Sequence, residues 1–344
     1  MSLDDTEDII RIRGDKDIII VVMGNNPSVS STPKMAIAET LADRIKDLNI
    51  CMVGLHPNAA GSRFPVNKTP FKGSPMMPWS KLPMHLYRAH NWHCLDGSLR
   101  TPYASIYTSM GCPYDCYYCN IHALYGDRKL RLRPLADIEY ELNVLVNTYR
   151  VRNIKIWDEL FALDEGRVYQ ICARLAYYPD LNIWAYARLD TITEGMLKVM
   201  SKAGIRWLAY GFESMKDPKF TSRAEEVIKM TREYGISIIA NFMFGLPGSS
   251  LEADQQSVYF AMKHLFEFVN FYDAKPYPGS KWHEDVKDKI KGMEFDQYKE
   301  ISPFRQKAFK DYFTNPDYLS MLEKKWGIQA VNQIKDMLSW RIIK

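Results

Sequence analysis

Apolar residues in this chain come in short unbroken runs, separated by stretches of helical period. The first run, Asp17-Ile-Ile-Ile-Val-Val-Met-Gly24, shows no polar alternation, as expected of a parallel strand buried on both faces. Between Pro33 and Leu48, the residues Met35, Ile37, Ala38, Leu41, Ala42 and Ile45 recur at helical spacing. Asn49-Ile-Cys-Met-Val-Gly54 is a second apolar run. Residues 17–54 therefore predict strand, helix, strand, which is half of a small open α/β sheet.

From residue 104 the rhythm becomes regular. Strands are predicted at 104–110, 153–159, 182–188, 207–213, 237–245 and 268–275, and helices near 134–149, 165–178, 193–203, 222–234 and 251–265. Strands that alternate with helices imply a parallel sheet with right-handed crossovers. Six such units rather than eight predict a partial (β/α)6 TIM-like barrel, open on one side. From about residue 292 the chain reads as short helices. Phe304, Ala308, Phe309 and Tyr312 form one apolar face there, and Ile328, Val331, Ile334 and Leu338 another. The expected fold class is α/β: this partial barrel, a truncated Rossmann-like α/β segment before it and a small helical C-terminal tail after it. The expected boundaries are 1–60 for the α/β segment, 61–103 for a linker or lid, 104–285 for the barrel and 286–344 for the helical region.

Residues 55–103 show no period and are rich in proline and glycine. They also carry Tyr87-Arg-Ala-His-Asn-Trp-His-Cys94, too aromatic for a floppy linker. Two readings stand for it. Either His90, His93 and Cys94 pack structurally and bond to backbone, or the segment covers the open mouth of the barrel and touches substrate. A further metal site there is a minor third. The basic run Arg128-Lys-Leu-Arg-Leu-Arg133 reads first as a solvated stretch leading into a helix.

Bulk numbers set limits. The chain has 344 residues, a formal charge of +4 and 25% charged residues, so charge alone gives no reason to expect a nucleic-acid partner. No apolar run approaches the roughly 18 residues that a membrane span needs. The N-terminus is acidic and polar, unlike a signal peptide. Of the cysteines, Cys51, Cys94 and Cys172 scatter while Cys112, Cys116 and Cys119 cluster. That distribution argues against a disulfide framework and for a reduced, cytoplasmic setting.

The cluster Met110-Gly-Cys-Pro-Tyr-Asp-Cys-Tyr-Tyr-Cys-Asn120 carries the most specific chemistry. Three thiolates from one tight loop can hold three irons of a 4Fe-4S cluster, leaving the fourth iron open to a small molecule. A Cys3His zinc site with His122 is the alternative, although structural zinc sites usually pair two separated knuckles. The loop follows the first strand of the parallel array, on the face where barrel folds place their chemistry.

With an aromatic residue before its third cysteine, this C-x3-C-x2-C loop resembles the signature of the radical S-adenosylmethionine (radical SAM) superfamily. The resemblance spans about residues 104–280 and is closest to the branch with a cobalamin-binding (B12) domain ahead of the barrel. The phrases carrying it are Thr108-Ser-Met-Gly-Cys-Pro113, Trp157-Asp-Glu-Leu-Phe161, Ala187-Arg-Leu-Asp190, Ala203-Gly204, Tyr210-Gly-Phe-Glu-Ser214, Phe244-Gly-Leu-Pro-Gly248 and Pro276-Tyr-Pro-Gly279. It implies that Cys112, Cys116 and Cys119 are the metal ligands and catalytic centre. The open iron would bind S-adenosylmethionine, whose reductive cleavage yields methionine and a 5′-deoxyadenosyl radical. Tyr118 would pack beside that ligand.

Further cofactor-binding residues follow from position near the carboxyl ends of strands. These are Asp158, Glu159, Arg188, Asp190, Glu213, Ser214, Asn241 and Gly245. A cationic sulfonium favours a carboxylate, and Glu213 leads; Arg188 suits a carboxylate or ribose hydroxyl. The bland alternative is that the carboxylates cap the following helices. The resemblance further implies a small or medium organic substrate and a flavodoxin- or ferredoxin-type electron donor. Cobalamin stays open: only two strands precede the linker, no Asp-x-His-x-x-Gly motif occurs, and a corrin needs a broad platform of strand ends. With cobalamin the expected reaction is methyl transfer to a substrate carbon. Without it, a radical rearrangement or oxidation is expected. The alternatives to an enzyme are a non-catalytic cluster-binding relative and a zinc-stabilised module.

Overall fold

A computed structural model describes residues 3–14, 16–22, 34–67, 76–215, 218–289 and 301–339. Met23, Gly24 and Pro33, read above as parts of the first strand and helix, lie outside the described residues, as does 292–300 at the start of the tail. The chain divides into two compact units. One comprises Met1–Lys72, Gly111–Leu130 and Lys275–Gln297; the other comprises Gly73–Met110, Arg131–Ala274 and Tyr298–Lys344.

In the first unit, β1 (Asp17–Val21) pairs in parallel with β2 (Asn49–Val53), and the helix Met35–Arg44 connects them. Ile20, Val22, Met35, Ala38, Leu41, Ala42, Ile45, Ile50 and Met52 make a separate small core. The described N-terminal sheet has these two strands, matching the truncated α/β expectation. A helix at Leu3–Arg13 had no apolar signature in the sequence and buries no residue. Arg11 pairs with Glu7 within this helix and with Asp47 outside it, both on the surface, where such pairs contribute little.

The second unit is built on β3 (Tyr103–Ile106), β4 (Ser109–Met110), β5 (Arg131–Leu132), β6 (Asn153–Ile156), β7 (Asn182–Arg188), β8 (Ile205–Glu213), β9 (Ser237–Phe244) and β10 (Phe268–Asp273). Six of these form one parallel sheet in the order β10-β9-β8-β7-β6-β3. Among the described strands β3 and β10 are unpaired edges, so the barrel is open as the unit count implied. The chain leaves this unit after β4 and returns at β5, and those two strands pair antiparallel (Ser109 opposite Leu132).

Side chains alternate along each strand. Ile154 and Ile156, Ile183, Ala185 and Ala187, Leu208, Tyr210 and Phe212 share one core with helix residues Leu142, Ile171, Leu197, Val227 and Ala261. The intervening positions present Lys155, Tyr186, Arg188, Gly211, Glu213, Asn241, Asn270 and Tyr272 to the opposite, concave face. The tail helices Ile301–Phe313, Pro316–Trp326 and Ile328–Ser339 belong to the same core. Tyr312 Oη donates to Phe266 O at 2.6 Å, Tyr318 Oη to Glu267 O at 3.2 Å, and Trp326 stacks on Trp207 at 5.4 Å. Among the described residues no helix is long and apolar enough to cross a membrane.

Two expectations are corrected here. The aromatic segment is not a lid over the mouth. Trp92 packs against Trp184, Trp207 and Phe268 at centroid distances of 5.2–5.6 Å, and these residues lie at the amino ends of their strands. Asn182, the first residue of β7, donates to His93 O at 2.8 Å, and the Cys94 thiol lies 3.4 Å from Asn153, the first of β6. The segment therefore plugs the amino-terminal end of the sheet. Burial holds His93 neutral, with its pKa lowered to about 3, and raises the Cys94 thiol above its usual range. The second correction concerns the basic run. Arg133 is only 4% exposed and forms an ion pair of 2.6 Å with the buried Glu141, which also accepts from Trp79 Nε1 at 2.9 Å. Arg133 also donates to Tyr107 O at 2.8 Å. Arg128 and Lys129 are exposed, as expected of the run, and Arg133, the residue after β5, turns inward.

Candidate functional site

The candidate residues fall into both units, and each group has its own geometry. In the first unit, Cys112, Cys116, Cys119 and Tyr118 are all half-buried in one loop. Cys119 N donates to Cys116 O at 3.0 Å, which turns the backbone between the second and third cysteines. No cysteine forms a disulfide. His122 Nε2 sits 2.7 Å from Tyr114 O, so this nitrogen braces the loop.

The loop is clamped by distant parts of the same unit. Asn120 Nδ2 donates to Pro278 O at 3.0 Å, Trp282 N to Tyr117 O at 3.0 Å, and Tyr117 Oη to Asp285 at 2.7 Å. Lys281 pairs with Asp115 at 2.5 Å. Gly279 has φ +88°, and a Cβ there would lie 2.8 Å from Ala123 Cβ and 3.1 Å from Ala59 Cβ. Only glycine lets the Pro276–Gly279 turn approach that closely. The sequence shows the Pro-Tyr-Pro-Gly phrase but not that its place is against the cysteine loop.

In the second unit the other eight residues lie at the carboxyl ends of β6 to β9, or in the turns just after them. Asp158 is 1% exposed, and its carboxylate accepts from Thr108 N at 2.6 Å, Thr108 Oγ1 at 2.5 Å and Ser109 Oγ at 2.7 Å. It was expected to face a cofactor or to cap a helix. It does neither, and instead fixes the residues just before the cysteine loop. Burial raises its pKa against the opposing pull of these donors. Glu159 is half-buried, and its charge helps to raise the phenol of Tyr107, after burial.

Arg188 and Asp190 hold each other in a two-point fork, Nε to Oδ1 at 2.8 Å and Nη2 to Oδ2 at 2.7 Å. Arg188 therefore holds Asp190 below the usual carboxylate range. Asn241 is bound on both sides: Nδ2 donates to Tyr210 O at 3.0 Å and Oδ1 accepts from Asn270 Nδ2 at 3.0 Å. The Gly245 N–H donates to Asp254 at 2.9 Å, so the backbone group expected to approach a ligand serves the following helix.

Glu213 has the most unusual geometry. The β8–β9 register slips between Gly211 and Glu213, and Glu213 adopts φ +52°, a left-handed conformation rare for this residue type. Its carboxylate folds over Gly211, where a Cβ would collide with Oε1. Observed strain at the end of a strand is a sign of a functional position. Glu213 also faces Tyr272. Tyr272 is 47% exposed, yet its pKa is pushed up to about 12, first by the surrounding walls and then by the Glu213 charge. Both features describe a recess that water enters but protein surrounds. The adjacent Ser214 Oγ is buried without a hydrogen-bond partner. A ligand hydroxyl or amine would supply one.

Several groups of this recess were not singled out from the sequence. Lys155, Trp157, Tyr186 and Tyr272 occupy alternate positions opposite the apolar ones. The polar residues interrupting Asn153-Ile-Lys-Ile-Trp157 were the available signal.

Comparisons with known proteins fit this geometry. Residues 106–258 match the family model described as the radical SAM superfamily. The chain is 25% identical over 264 residues to "Uncharacterized methyltransferase PH0819" of Pyrococcus horikoshii, covering 73% of this chain and 54% of that protein. It is 26% identical over 195 residues to a cytidylyl-2-hydroxyethylphosphonate methyltransferase of Streptomyces wedmorensis, covering 51% and 36%. The chain thus spans about half or less of the length of these curated relatives. Its fold is similar to that of TsrM, a radical S-adenosylmethionine methyltransferase from Kitasatospora setae solved with cobalamin and a 4Fe-4S cluster. The TM-score is 0.62 at 15% identity, over 83% of this chain and 67% of TsrM.

Proposed function

We propose that this chain, whose residues 106–258 match the radical SAM family model, is an enzyme that cleaves S-adenosylmethionine reductively and abstracts hydrogen from a substrate carbon. The observation that carries this reading is the clamped loop with three half-buried thiols outside any disulfide. One thiolate per iron suits a 4Fe-4S cluster, and Cys116 and Cys119 share one backbone bend, although among the described residues the three thiols are not drawn together into a metal-holding group. When bound, the cluster and S-adenosylmethionine supply the electron and the 5′-deoxyadenosyl radical.

This chain's own residues have separable tasks. Asp158 fixes Thr108 and Ser109, at the end of the second unit's segment that precedes the cysteine loop in sequence. The contacts from Pro278, Trp282 and Asp285 hold the loop's shape. Glu213 offers a strained carboxylate to a cationic sulfonium or ammonium, and Ser214 Oγ offers an unused hydrogen bond. The Arg188–Asp190 fork presents a rigid polar edge for a ribose or carboxylate.

Methyl transfer to carbon is the finer form of this reading, supported by the methyltransferase names of the relatives. We derive no step through a corrin, since β1 and β2 alone give a narrow platform among the described residues. The electron is taken to come from a flavodoxin- or ferredoxin-type donor.

Glu213→Gln tests the binding half of the proposal. The substitution keeps size and removes charge, so S-adenosylmethionine should bind about tenfold more weakly, as expected for about 1.4 kcal/mol of lost charge pairing. S-adenosylhomocysteine, which lacks the sulfonium, should lose less. Equal losses for both ligands would place the carboxylate at the ammonium instead of the sulfonium, and no loss for either would count against the assigned role of Glu213.

A further inference from the structure

Lys155 is 3% exposed at the third position of β6. Its Nζ lies 2.9 Å from the ring centroid of Trp157, 4.2 Å from Trp184 and 5.0 Å from Tyr186, and 3.5 Å from Tyr186 Oη. The titratable groups facing it are the Tyr186 phenol, whose pKa burial raises, and His90 of the amino-terminal plug, whose pKa is lowered by burial and then by Lys155 and Arg100. Among the described residues no carboxylate stands within ion-pair distance of it. A buried ammonium without a counter-charge is unfavourable, and burial lowers the Lys155 pKa to about 6. Cores rarely keep such a group where an apolar residue of equal size would pack.

The surroundings indicate what would complete it. Trp157, whose ring covers the Lys155 amine, is 43% exposed and Tyr272 of the same face 47%, so solvent reaches the flat rings of this face. The plug residues His90 and Trp92, stacked at 5.4 Å, lie on the amino-terminal side. The other cation of this face, Arg188, has its fork on Asp190. One amine without a counter-charge matches a single negative charge, whereas a phosphate would need several donors.

We propose that Lys155 is the anchor for a carboxylate carried by the substrate, with the substrate's apolar, flat portion lying against Trp157 and Tyr186. It is a positioning and specificity-determining residue: it fixes one end of the substrate and so decides which carbon faces the strand ends. The assignment deepens the radical SAM reading only by naming a substrate class. The binding itself needs neither cluster nor S-adenosylmethionine, so the two can fail separately.

The test is calorimetric titration of the full chain with 2-naphthoate, 2-naphthamide and inorganic phosphate at pH 7.5. The carboxylate should bind at least tenfold more tightly than the isosteric amide and than phosphate. Because the amine is largely neutral when free and charged when paired, carboxylate binding should take up close to one proton. Heats measured in Tris and in PIPES read this directly on the unaltered protein. Lys155→Met should erase the preference for carboxylate, Lys155→Arg should retain part of it, and the surface control Lys229→Met should change nothing. Equal affinity for acid and amide, no binding by either, absence of proton uptake, a preference for phosphate, or a carboxylate preference that survives Lys155→Met would overturn the assignment.

Discussion

A Cys116→Ala chain is expected to leave anaerobic reconstitution with iron and sulfide nearly colourless and to form no 5′-deoxyadenosine. The middle cysteine lies at the start of the bend that Cys119 N closes onto Cys116 O. Its backbone contact survives the substitution, so the loop should keep its clamps from Asn120, Tyr117 and Lys281. What is lost is one thiolate of three. A cluster left with two protein ligands exposes two irons and is readily lost, and the chemistry depends on the cluster wholly. Iron content and the broad visible absorption should fall to background, while the far-ultraviolet circular dichroism stays that of the unaltered chain. Retention of a full iron complement by the variant would mean that another residue, such as His122, serves as ligand.

The second large effect is on folding. Glu141→Leu should destabilise the second unit by about 3–5 kcal/mol, the usual consequence of leaving a buried charge without its partner. Arg133 is nearly sealed from solvent and meets Glu141 at 2.6 Å, while Trp79 donates to the same carboxylate. The variant abandons both donors. Because Arg133 also holds Tyr107 O, the loss reaches the backbone just before the cysteine loop. The double variant Arg133→Met, Glu141→Leu should regain much of the stability, since two apolar side chains replace both charges. Denaturant midpoints of the single and double variants check this. Equal midpoints for both would show that the pair is not coupled.

Much of the fold was legible because its strands are bounded by helices of clear period. The strand at 182–188 coincides with the prediction, and the others differ by a few residues at their ends. The cysteine loop was legible because three thiols within eight residues have few structural uses. Other parts were hidden by long-range partnering. Asp158 lies where a cofactor ligand is expected, but its acceptor sites are filled by Thr108 and Ser109, about fifty residues earlier. Arg133 looked solvated because charge near charge usually is, and its partner Glu141 lies one helical segment away. The His90–Cys94 segment had no period to indicate which end of the sheet it meets; three tryptophans meeting through space decide that. Lys155 sat inside an apolar run and read as part of a strand, without its concave surroundings.

The central claim is that this chain generates a radical from S-adenosylmethionine at Cys112, Cys116 and Cys119. Its most direct measurement is the yield of 5′-deoxyadenosine and methionine from reconstituted protein given S-adenosylmethionine and dithionite under anaerobic conditions, quantified by liquid chromatography with mass detection. The expected result is both products in equal amounts, exceeding one equivalent per cluster and absent from the Cys116→Ala chain. A protein that carries four irons and binds S-adenosylmethionine yet leaves it intact would contradict the account.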